Sequence, residues 1–489
     1  MRKYFIMTFG CAMNQADSEK VNMILLQSGF MRSATIEQAD LVIFNTCSVR
    51  QKGEDKVFGM IEEIKKINAE NKKKGIAHEI KIGITGCMVR RTGLGEKYLT
   101  DYKRDRNKSK KINLLKDSSE IFNNDDKLFP RTKGFLDFTL RIEDIKFLPL
   151  MLTQIYGESI GNDYKFDDYL KSKQLRENPS SATIIIQTGC DNYCTFCIVP
   201  YTRGSENSRP IEEIVQEAKE AVKAGAKEIT LVGQNVNSYG KQFVDKKHWN
   251  EEKSKWNDGL GKSPFRQLLE ELDKIEGLDR IRFTSSNPHD MTQDILDAHF
   301  DLKSTCNYLH FALQSGNNKV LKKMNRRHKY EDFKKIVDYL RSRDPKFSIS
   351  TDIIVGFSGE TDEMFADTVK AFDECEFDFA YNARYSVRTG TIASKMFPDD
   401  ITDRQKAERW HILNDKLLES ILKRNQKMLG TIEEVLVSGQ KDEYFFGRTR
   451  NFKEVYFTVP EGKEVKIGDL SKVKLTELDR YVIKGSLVE

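Results

Sequence analysis

The chain is organised around residues 189–197, which read GCDNYCTFC and directly follow the apolar run at 183–187. The cysteines Cys190, Cys194 and Cys197 have the spacing C-x3-C-x2-C. Soft thiolate ligands suit zinc, copper(I) or iron–sulfur clusters. A closed structural zinc site takes four ligands, whereas a four-iron cluster on three cysteines leaves one iron open. The stretch therefore indicates a metal centre, and a loop of buried or disulfide-bonded cysteines is the less favoured alternative.

Composition limits the class of protein. The 489 residues are 38% hydrophobic and 32% charged, which is typical of a soluble chain with several domains. No apolar stretch approaches the ~20 residues that cross a membrane, and the amino terminus has no signal-peptide pattern. We therefore expect a cytoplasmic location, where thiols stay reduced. The net charge of +5 permits nucleic-acid binding without arguing for it.

Residues 1–95 repeat one pattern, in which a short apolar run leads to a cysteine. The runs are bounded and partly β-branched, as expected of buried strands. Helical patterns follow at least the first two runs, one with Ser18 as its cap and one at 54–69. Strands that alternate with helices predict a parallel sheet, whose ligands gather at the carboxyl ends of the strands. The cysteines expected to converge there are Cys11, Cys47 and Cys87.

The C-x3-C-x2-C spacing, with Phe196 before the third cysteine, resembles the signature of the radical S-adenosylmethionine (SAM) superfamily. The resemblance implies a [4Fe–4S] cluster on Cys190, Cys194 and Cys197, whose open iron binds SAM. Reductive cleavage of SAM then yields a 5′-deoxyadenosyl radical, so that the cofactor carries the hard chemistry while the protein positions and shields it.

Further motifs resemble the MiaB-type tRNA methylthiotransferases. They are TFGCAMN at 8–14, NTCSVR at 45–50, PYTRG at 200–204 and SRP at 208–210. The resemblance implies a second, auxiliary [4Fe–4S] cluster on the amino-terminal cysteine triad. It also implies methylthiolation of C2 of N6-isopentenyl(dimethylallyl)adenosine at position 37, next to the anticodon, with two SAM molecules. The implied partners are the tRNA anticodon loop, an electron donor and a sulfur source, the last two of unspecified identity.

From 181 to about 385, candidate strands alternate regularly with helical patterns. They lie at 183–187, 228–232, 280–284, 308–313, 347–355 and 377–385. Six such units predict an incomplete parallel barrel, whose site lies at the carboxyl ends of the strands. Small residues and amide side chains lie at those strand ends and match the sequence motifs of the family. Together they favour contact with SAM. The predicted cofactor-binding residues are Phe196, Gly233, Gln234, Asn235, Ser285, Gln314, Gly356 and Glu360.

Short β-like runs from about 430 to 489 predict a small barrel. The sequence GRTRNF at 447–452 resembles that of a TRAM domain, an RNA-binding β-barrel. Charge does not support RNA binding, because the segment has ten basic and eleven acidic residues. Arginines beside aromatic rings nevertheless offer phosphate contact and stacking. The predicted RNA-binding residues are Arg203, Arg448, Arg450 and Phe452.

The fold class predicted overall is α/β: an amino-terminal parallel α/β domain, an incomplete (β/α)6 radical-SAM barrel and a carboxy-terminal all-β TRAM barrel. The predicted domains are 1–150 with an insertion at about 96–134, then 181–429, then 430–489. The insertion carries a basic run at 103–111, read as a solvated loop in preference to an RNA contact. A second insertion at 241–261 carries Trp249 and Trp256, expected to pack in preference to stacking on a base.

Lone candidates are given structural roles. Cys306 and Cys375 have no partner at ligand spacing and are expected in the core, and His310 is expected to be a satisfied interior histidine. Two functional alternatives stay open. One keeps the chemistry but acts on threonylcarbamoyl-adenosine in tRNA or on an aspartate of a ribosomal protein. The other is a non-catalytic RNA-binding protein stabilised by zinc.

Overall fold

A computed structural model describes residues 1–47, 51–89, 135–161, 169–172, 174–176, 178–244 and 248–488. The chain forms two compact units, Met1–Glu177 with Ile198–Ser205, and Asn178–Cys197 with Glu206–Glu489. The predicted insertion at about 96–134, with its basic run, lies outside the described residues. Within the described ranges, no helix combines the length and apolar character needed to cross a membrane.

A parallel sheet lies at the centre of the first unit. Its strands are β1 (Lys3–Phe9), β2 (Met31–Arg32), β3 (Leu41–Thr46), β4 (Lys81–Gly86) and β5 (Phe138–Leu140). The order is β2-β1-β3-β4-β5, and every neighbouring pair is parallel. All residues of β3 are buried, as expected of a strand inside a parallel sheet. The predicted amino-terminal parallel α/β arrangement is confirmed.

Helices connect these strands. They are α1 (Ala12–Gln27), α2 (Gln51–Lys73), α3 (Leu148–Tyr156) and α4 (Val199–Thr202), with short 3-10 helices at Ile142–Phe147 and Tyr169–Lys171. Helix α2 contains the predicted helical stretch at 54–69. Helix α3 ends at Gly157, whose φ of 68° is the left-handed conformation that glycine adopts readily at a helix end.

Helix α1 begins earlier than the sequence pattern predicts. Ser18 lies inside the helix, so the prediction that Ser18 caps it is wrong. The helix begins directly after Cys11, whose backbone N–H donates to Asn14 Oδ1 at 3.3 Å. The Ser18 hydroxyl instead hydrogen-bonds to Thr8 Oγ1 (2.7 Å) and accepts from Asn45 Nδ2 (2.9 Å). These contacts tie the helix to the strands.

The second unit begins with parallel strands. Its first strands are β6 (Ser181–Ile185), β7 (Gln187–Thr188), β8 (Asn207–Ser208), β9 (Glu228–Val232), β10 (Arg280–Phe283), β11 (Tyr308–His310), β12 (Ser348–Val355) and β13 (Phe379–Arg384). Strands β6, β9 and β10 form one parallel sheet and β11, β12 and β13 another. An isolated parallel bridge joins Ser286, after β10, to Phe311, after β11. The predicted incomplete six-stranded barrel is confirmed.

The helices of the second unit pack around these strands. They are α5 (Ile211–Lys223), α6 (Trp249–Asn257), α7 (Pro264–Asp273), α8 (Gln293–Asp301), α9 (Asn318–Lys323), α10 (Tyr330–Arg343), α11 (Asp362–Cys375), α12 (Ile392–Met396) and α13 (Asp403–Gln426), with 3-10 helices at Val236–Ser238, Lys241–Phe243 and Pro288–Asp290. One buried apolar cluster, including Leu231, Phe283 and Ile353, fills the space between helices and strands.

The carboxy-terminal strands close into a small barrel. They are β14 (Ile432–Lys441), β15 (Tyr444–Thr449), β16 (Glu454–Thr458), β17 (Leu470–Asp479) and β18 (Val482–Leu487). The order around the barrel is β14-β15-β16-β18-β17, and its core includes Val435, Phe457 and Ile483. The predicted all-β barrel is confirmed. The boundaries 1–150, 181–429 and 430–489 stay predictions, since the second unit contains both the parallel strands and this barrel.

Asp378, just before β13, is the carboxylate around which the second unit packs its buried cations. Its side chain is fully buried and contacts Lys453 Nζ (2.6 Å), Arg424 Nε (3.2 Å) and Arg341 Nη2 (3.3 Å). Its Oδ2 also accepts from the backbone N–H of Ile349 at 2.9 Å. Burial alone would raise the pKa of Asp378, but the three cations hold it below its ordinary value. The carboxylate therefore links α10, α13 and the carboxy-terminal barrel.

Replacing Asp378 with asparagine should destabilise the second unit by about 3–5 kcal/mol, because buried cations lose their counter-charge. The folded pKa of Asp378 lies below that of an unfolded aspartate, about 3.9. The stabilisation that ionised Asp378 provides is therefore fully present above the unfolded pKa of about 3.9, and it is lost as the pH falls through the pKa of Asp378 in the folded protein. Urea unfolding at pH 7 measures the change, with Asp338→Asn as control because Asp338 pairs with Lys334 on the surface of α10. Equal unfolding midpoints for the two variants would contradict this role.

Candidate functional site

Three cysteines lie at neighbouring strand ends of the first unit. Cys11 follows β1, Cys47 follows β3 and Cys87 follows β4. Phe9 is paired with Thr46, and Thr46 with Gly86, so the ends are in register. The backbone N–H of Cys87 donates to Thr46 O at 2.7 Å. The parallel sheet therefore brings the predicted cysteines to one edge, with Cys11 exposed and the other two buried.

Two asparagines brace this edge, and sequence analysis assigned neither of them a role. Asn14 Nδ2 donates to Asn45 Oδ1 and to Thr46 O, both at 3.1 Å. Asn45 Nδ2 in turn donates to Asn14 O at 2.7 Å. Both side chains are fully buried. Because each amide satisfies the other and the strand end, the loops that carry Cys11 and Cys47 are held by side-chain hydrogen bonds as well as by the sheet.

A cavity of about 420 Å³ borders Cys11. Polar side chains dominate its wall, including those of Thr8, Gln15 and Asn22. The Oδ1 atom of Asn22 is buried there and, within the part of the chain that the structure describes, has no hydrogen-bond partner. The most exposed of the predicted amino-terminal ligands therefore faces a polar space of small-molecule size.

Arg203 lies buried in the first unit, contrary to the exposure that RNA contact requires. Its guanidinium pairs with the fully buried Asp17, which also accepts a hydrogen bond from the Tyr169 hydroxyl. Burial raises the pKa of the Cys87 thiol, and the Arg203 guanidinium opposes that rise. These surroundings do not support the prediction that Arg203 binds RNA. They make it a buried counter-charge beside the cysteine edge.

In the second unit, the loop with Cys190, Cys194 and Cys197 is held by the end of α9. Thr195 N–H donates to Met324 O and Thr195 Oγ1 donates to Lys323 O, both at 3.0 Å. Tyr193, between the first two cysteines, has a φ of 48°, a conformation that L-residues rarely adopt. The loop backbone is thus set by hydrogen bonds that no spacing rule reveals.

Charged groups surround this cysteine loop. Arg326 Nη1 donates to Cys194 Sγ at 3.4 Å. Burial raises the pKa of the Cys190 thiol well above its usual range, and Glu206 raises it further. Sequence analysis missed both Arg326 and Glu206, because a short basic run and a single acid are too common on protein surfaces to identify them.

The cysteine sets have the donor chemistry of iron–sulfur cluster ligands. Within the described ranges, no three His, Cys, Asp or Glu side chains come close enough to hold one metal ion. A four-iron cluster takes its cysteines on separate irons, so the thiolates need not converge on one point. Each triad is a set of three soft ligands. The donor sets therefore fit the predicted [4Fe–4S] clusters.

The residues predicted to contact SAM fall into two groups. At three strand ends, buried oxygens have no hydrogen-bond partner among the described residues: Asn235 Oδ1, Gln314 Oε1 and Ser286 Oγ, the last beside the predicted Ser285. Ser285 and Gln314 both have positive φ, 68° and 76°. Buried polar atoms are normally satisfied, so these orphaned acceptors indicate a polar ligand at the carboxyl ends of the strands.

The other predicted SAM residues are engaged by the protein itself. Gln234 Oε1 accepts from the backbone N–H of Gly189 at 2.6 Å, so it braces the cysteine loop. A Cβ at Gly233 would lie only 2.8 Å from Gln187 Cγ. Close packing therefore accounts for the glycine at this position. Phe196 packs edge-on against Phe357, with ring centroids 6.4 Å apart. These residues support the loop.

Gly356 and Glu360, which are also predicted to contact SAM, form a closed turn after β12. Glu360 is 1% exposed. Its Oε2 accepts from Gly356 N–H (2.7 Å) and from Arg409 Nη1 (2.9 Å). The protein itself therefore supplies partners for this buried carboxylate, and contact of the two residues with SAM stays a prediction.

The predicted RNA-binding residues of the carboxy-terminal barrel differ in exposure. Arg450 donates to Lys303 O at 2.7 Å. Phe452 stacks on Tyr308 with centroids 4.4 Å apart. Both therefore hold the barrel against the parallel strands, and their positions do not support RNA contact. Arg448 is exposed and lies over the Phe452 ring, so its RNA contact stays a prediction.

The lone candidates have the structural positions expected of them. The Trp249 and Trp256 rings are buried and pack edge to face, with centroids 5.2 Å apart. Cys306 and Cys375 are fully buried. His310 is buried and hydrogen-bonds to Ser350 Oγ and Asp352 Oδ2. These predictions are confirmed.

Comparison with known proteins gives close relatives. The chain is 36% identical over 493 residues to the tRNA-2-methylthio-N(6)-dimethylallyladenosine synthase of Thermoanaerobacter sp. (strain X514), which covers 99% of this chain and 93% of the relative. It is 35% identical over 500 residues to the enzyme of the same name from Carboxydothermus hydrogenoformans, covering 100% and 99%. The chain belongs to this family. Residues 184–372 match the Radical SAM superfamily, and residues 3–105 match the uncharacterized protein family UPF0004.

Among solved structures, the radical SAM methyltransferase TsrM from Kitasatospora setae, with cobalamin and a [4Fe–4S] cluster bound, has a TM-score of 0.48 at 11% identity. It covers 80% of this chain and 77% of the other.

Family membership settles the class of protein. The chain is a radical SAM methylthiotransferase, an enzyme that uses S-adenosyl-L-methionine and iron–sulfur clusters, as the motif resemblance predicted. The alternative of a non-catalytic, zinc-stabilised RNA-binding protein is therefore wrong. No comparison tests the individual cofactor-binding and RNA-binding residues, which stay predictions.

Replacing Arg203 with methionine separates the two roles considered for that residue. We expect a loss of stability of about 3–5 kcal/mol in the first unit, because Asp17 is left as an uncompensated buried charge. Affinity of the folded fraction for tRNA should be unchanged. Thermal unfolding and tRNA gel-shift titration measure the two effects, with Lys66→Met as an exposed control in the same unit. Weaker tRNA binding at unchanged stability would instead favour the RNA-binding role.

Proposed function

We propose that this methylthiotransferase modifies C2 of N6-dimethylallyladenosine at position 37 of tRNA, with Cys190, Cys194 and Cys197 holding the SAM cluster and Cys11, Cys47 and Cys87 holding the auxiliary cluster. The observation that carries the proposal is the near full-length match to enzymes named for this product. When bound, the clusters and two SAM molecules supply the radical that removes hydrogen from C2, the sulfur and the methyl group.

The protein's first task is to hold the SAM cluster rigidly. The loop at 189–197 is held at Thr195, whose backbone N–H donates to Met324 O and whose hydroxyl donates to Lys323 O. Arg326 places a positive charge 3.4 Å from Cys194 Sγ, where it stabilises a thiolate ligand. Rigid placement matters because a carbon radical must meet the substrate before it meets solvent or protein.

Its second task is to bind SAM at the barrel rim. Asn235 Oδ1 and Gln314 Oε1 are buried acceptors that no described residue satisfies, and each requires a donor. The α-ammonium, the ribose hydroxyls and the adenine amine of SAM are such donors. Ser286 Oγ adds a third polar atom. We assign these three residues to the cofactor pocket and Gly356 and Glu360 to its supporting structure.

Its third task is to expose the auxiliary cluster to a sulfur source. Cys11 is exposed beside the polar cavity of about 420 Å³. Cys47 and Cys87 are buried at the ends of central strands. This asymmetry supports a cluster held on its buried side and approachable near Cys11. The identities of the sulfur source and the electron donor are not specified by these residues, and a cytoplasmic location stays a prediction.

Contact with the anticodon loop is assigned to Arg448. Its guanidinium lies 4.4 Å from the centroid of Phe452 on the exposed side of β15. A guanidinium held over a ring is oriented for contact with phosphate or a base. Unstacked bases of a loop are accessible to such a surface.

Nucleoside mass spectrometry tests the reaction and the substrate together. Cluster-reconstituted protein is incubated anaerobically with SAM, a reductant, sulfide and tRNA that carries N6-dimethylallyladenosine. We expect a methylthio mass gain on that nucleoside and none on unmodified tRNA. Parallel reactions contain threonylcarbamoyl-adenosine tRNA or the ribosomal-protein substrate. A gain in either of those alone would move the substrate assignment to that alternative.

Single cysteine variants test the two ligand sets. Cys194→Ala should abolish SAM cleavage, because the SAM cluster loses a ligand. Cys47→Ala should still release 5′-deoxyadenosine yet form no methylthio product, because only the sulfur-supplying cluster is damaged. Liquid chromatography of both products measures this, with the buried Cys375→Ala as control. Product formed by Cys47→Ala at wild-type yield would remove the auxiliary-cluster assignment.

A further inference from the structure

The insertion at 241–261 folds a helix onto the second unit. Helix α6 buries Trp249 and Trp256 against each other. At its end, Asn257 Oδ1 accepts from the backbone N–H of Gln293, the first residue of α8, at 3.0 Å. The hydrogen bond therefore ties the end of the helix to the start of α8.

Helix α6 directs one lysine inward. Lys253 Nζ lies 3.3 Å from Asp290 Oδ1 and also donates to His289 O. The side chains of Lys253 and Asp290 are 12% and 7% exposed. Lys255, two residues further along the same helix, is 52% exposed and pairs with Glu252 on the surface. The inward pair is therefore a specific feature of the helix and distinct from its solvated face.

The buried carboxylate of Asp290 connects Lys253 to Asn235, at the carboxyl ends of the barrel strands. Asp290 Oδ2 accepts from Asn235 Nδ2 at 2.8 Å. Burial alone would raise the pKa of Asp290, but Lys253 and the hydrogen bond from Asn235 keep it below its ordinary value. With its nitrogen held in this way, Asn235 is left with a buried Oδ1 to which no residue that the structure describes donates. The backbone carbonyl of Asn235 accepts from Gln187 Nε2 at 2.6 Å, which fixes its main chain.

We propose that Lys253 is a positioning residue for SAM, acting through Asp290 on Asn235. Lys253 keeps the buried Asp290 charged and in place, and Asp290 holds the Asn235 amide so that its free oxygen faces the cofactor. Without Lys253, an isolated carboxylate becomes protonated or turns toward solvent, and the Asn235 side chain loses its acceptor. This inference rests on the proposed function, because it takes Asn235 to be a SAM contact.

The test measures SAM affinity directly, apart from turnover. Equilibrium dialysis of cluster-reconstituted full-length protein with radiolabelled SAM gives the dissociation constant, while the cluster absorbance and the melting temperature are recorded on the same samples. Lys253→Met should weaken SAM binding about 10- to 100-fold, the range typical when an outer hydrogen-bond partner is removed, at unchanged cluster content. Lys253→Arg should restore affinity to within about threefold. Lys255→Met is the matched control and should bind SAM as the wild type does.

A double variant that lacks both charges provides the test if Lys253→Met fails to fold. In K253M/D290N no charge is left unpaired, and the amide introduced by the second substitution keeps a carbonyl oxygen that accepts from Asn235 Nδ2. The SAM affinity of this double variant should therefore lie within about threefold of wild type. Lys253→Met with wild-type SAM affinity, or a tenfold loss in the folded K253M/D290N protein, would overturn the positioning role alone. Absence of SAM binding by the wild-type protein would overturn the proposed function and this inference with it.

Discussion

The alignment of parallel strands is the constraint on which the rest of the structure depends. Neighbouring parallel strands end at the same edge of a sheet, so residues far apart in sequence meet there. In the first unit this edge gathers the thiols of Cys11, Cys47 and Cys87. In the second unit the same rule places Asn235 and Gln314 after two of the barrel strands. The positions of the proposed auxiliary cluster and of the proposed cofactor pocket thus follow from strand direction before any side-chain contact is considered.

Buried carboxylates hold the elements around these edges together. Asp17 pairs with Arg203 beside the first cysteine set, Asp378 gathers three cations in the second unit, and Asp290 connects Lys253 to the barrel rim. Breaking such a pair leaves an uncompensated charge, which costs far more than a surface ion pair contributes. The pairs therefore specify one arrangement of the elements around the sites.

Much of the fold could be predicted because strand signals are local. The strand predicted at 228–232 coincides with β9. Each strand of the carboxy-terminal barrel overlaps one of the β-like runs of the sequence, which lie at 434–437, 444–446, 455–459, 472–475 and 481–483. The errors came from contacts that the local pattern does not show. Serine is a residue type that commonly caps helices, but this helix begins at Ala12 and not near Ser18. At its start the Asn14 side chain accepts a hydrogen bond from the backbone N–H of Cys11. The local pattern also gives no sign that Arg409, far along the chain, pairs with Glu360.

The sequence by itself determined the chemistry: the two cysteine triads and the surrounding motifs identify a radical SAM methylthiotransferase, because ligand type and spacing are written in the order of residues. Only the tertiary structure decided which polar groups serve the sites. Arg203 and Arg450 read as RNA-binding residues in the chain, but folding buries the first on Asp17 and ties the second to backbone carbonyls. In the sequence, Lys253 is one of several charged residues of the insertion at 241–261. In the folded structure its side chain is directed inward to Asp290. Exposure and pairing depend on distant neighbours, and no local pattern encodes them.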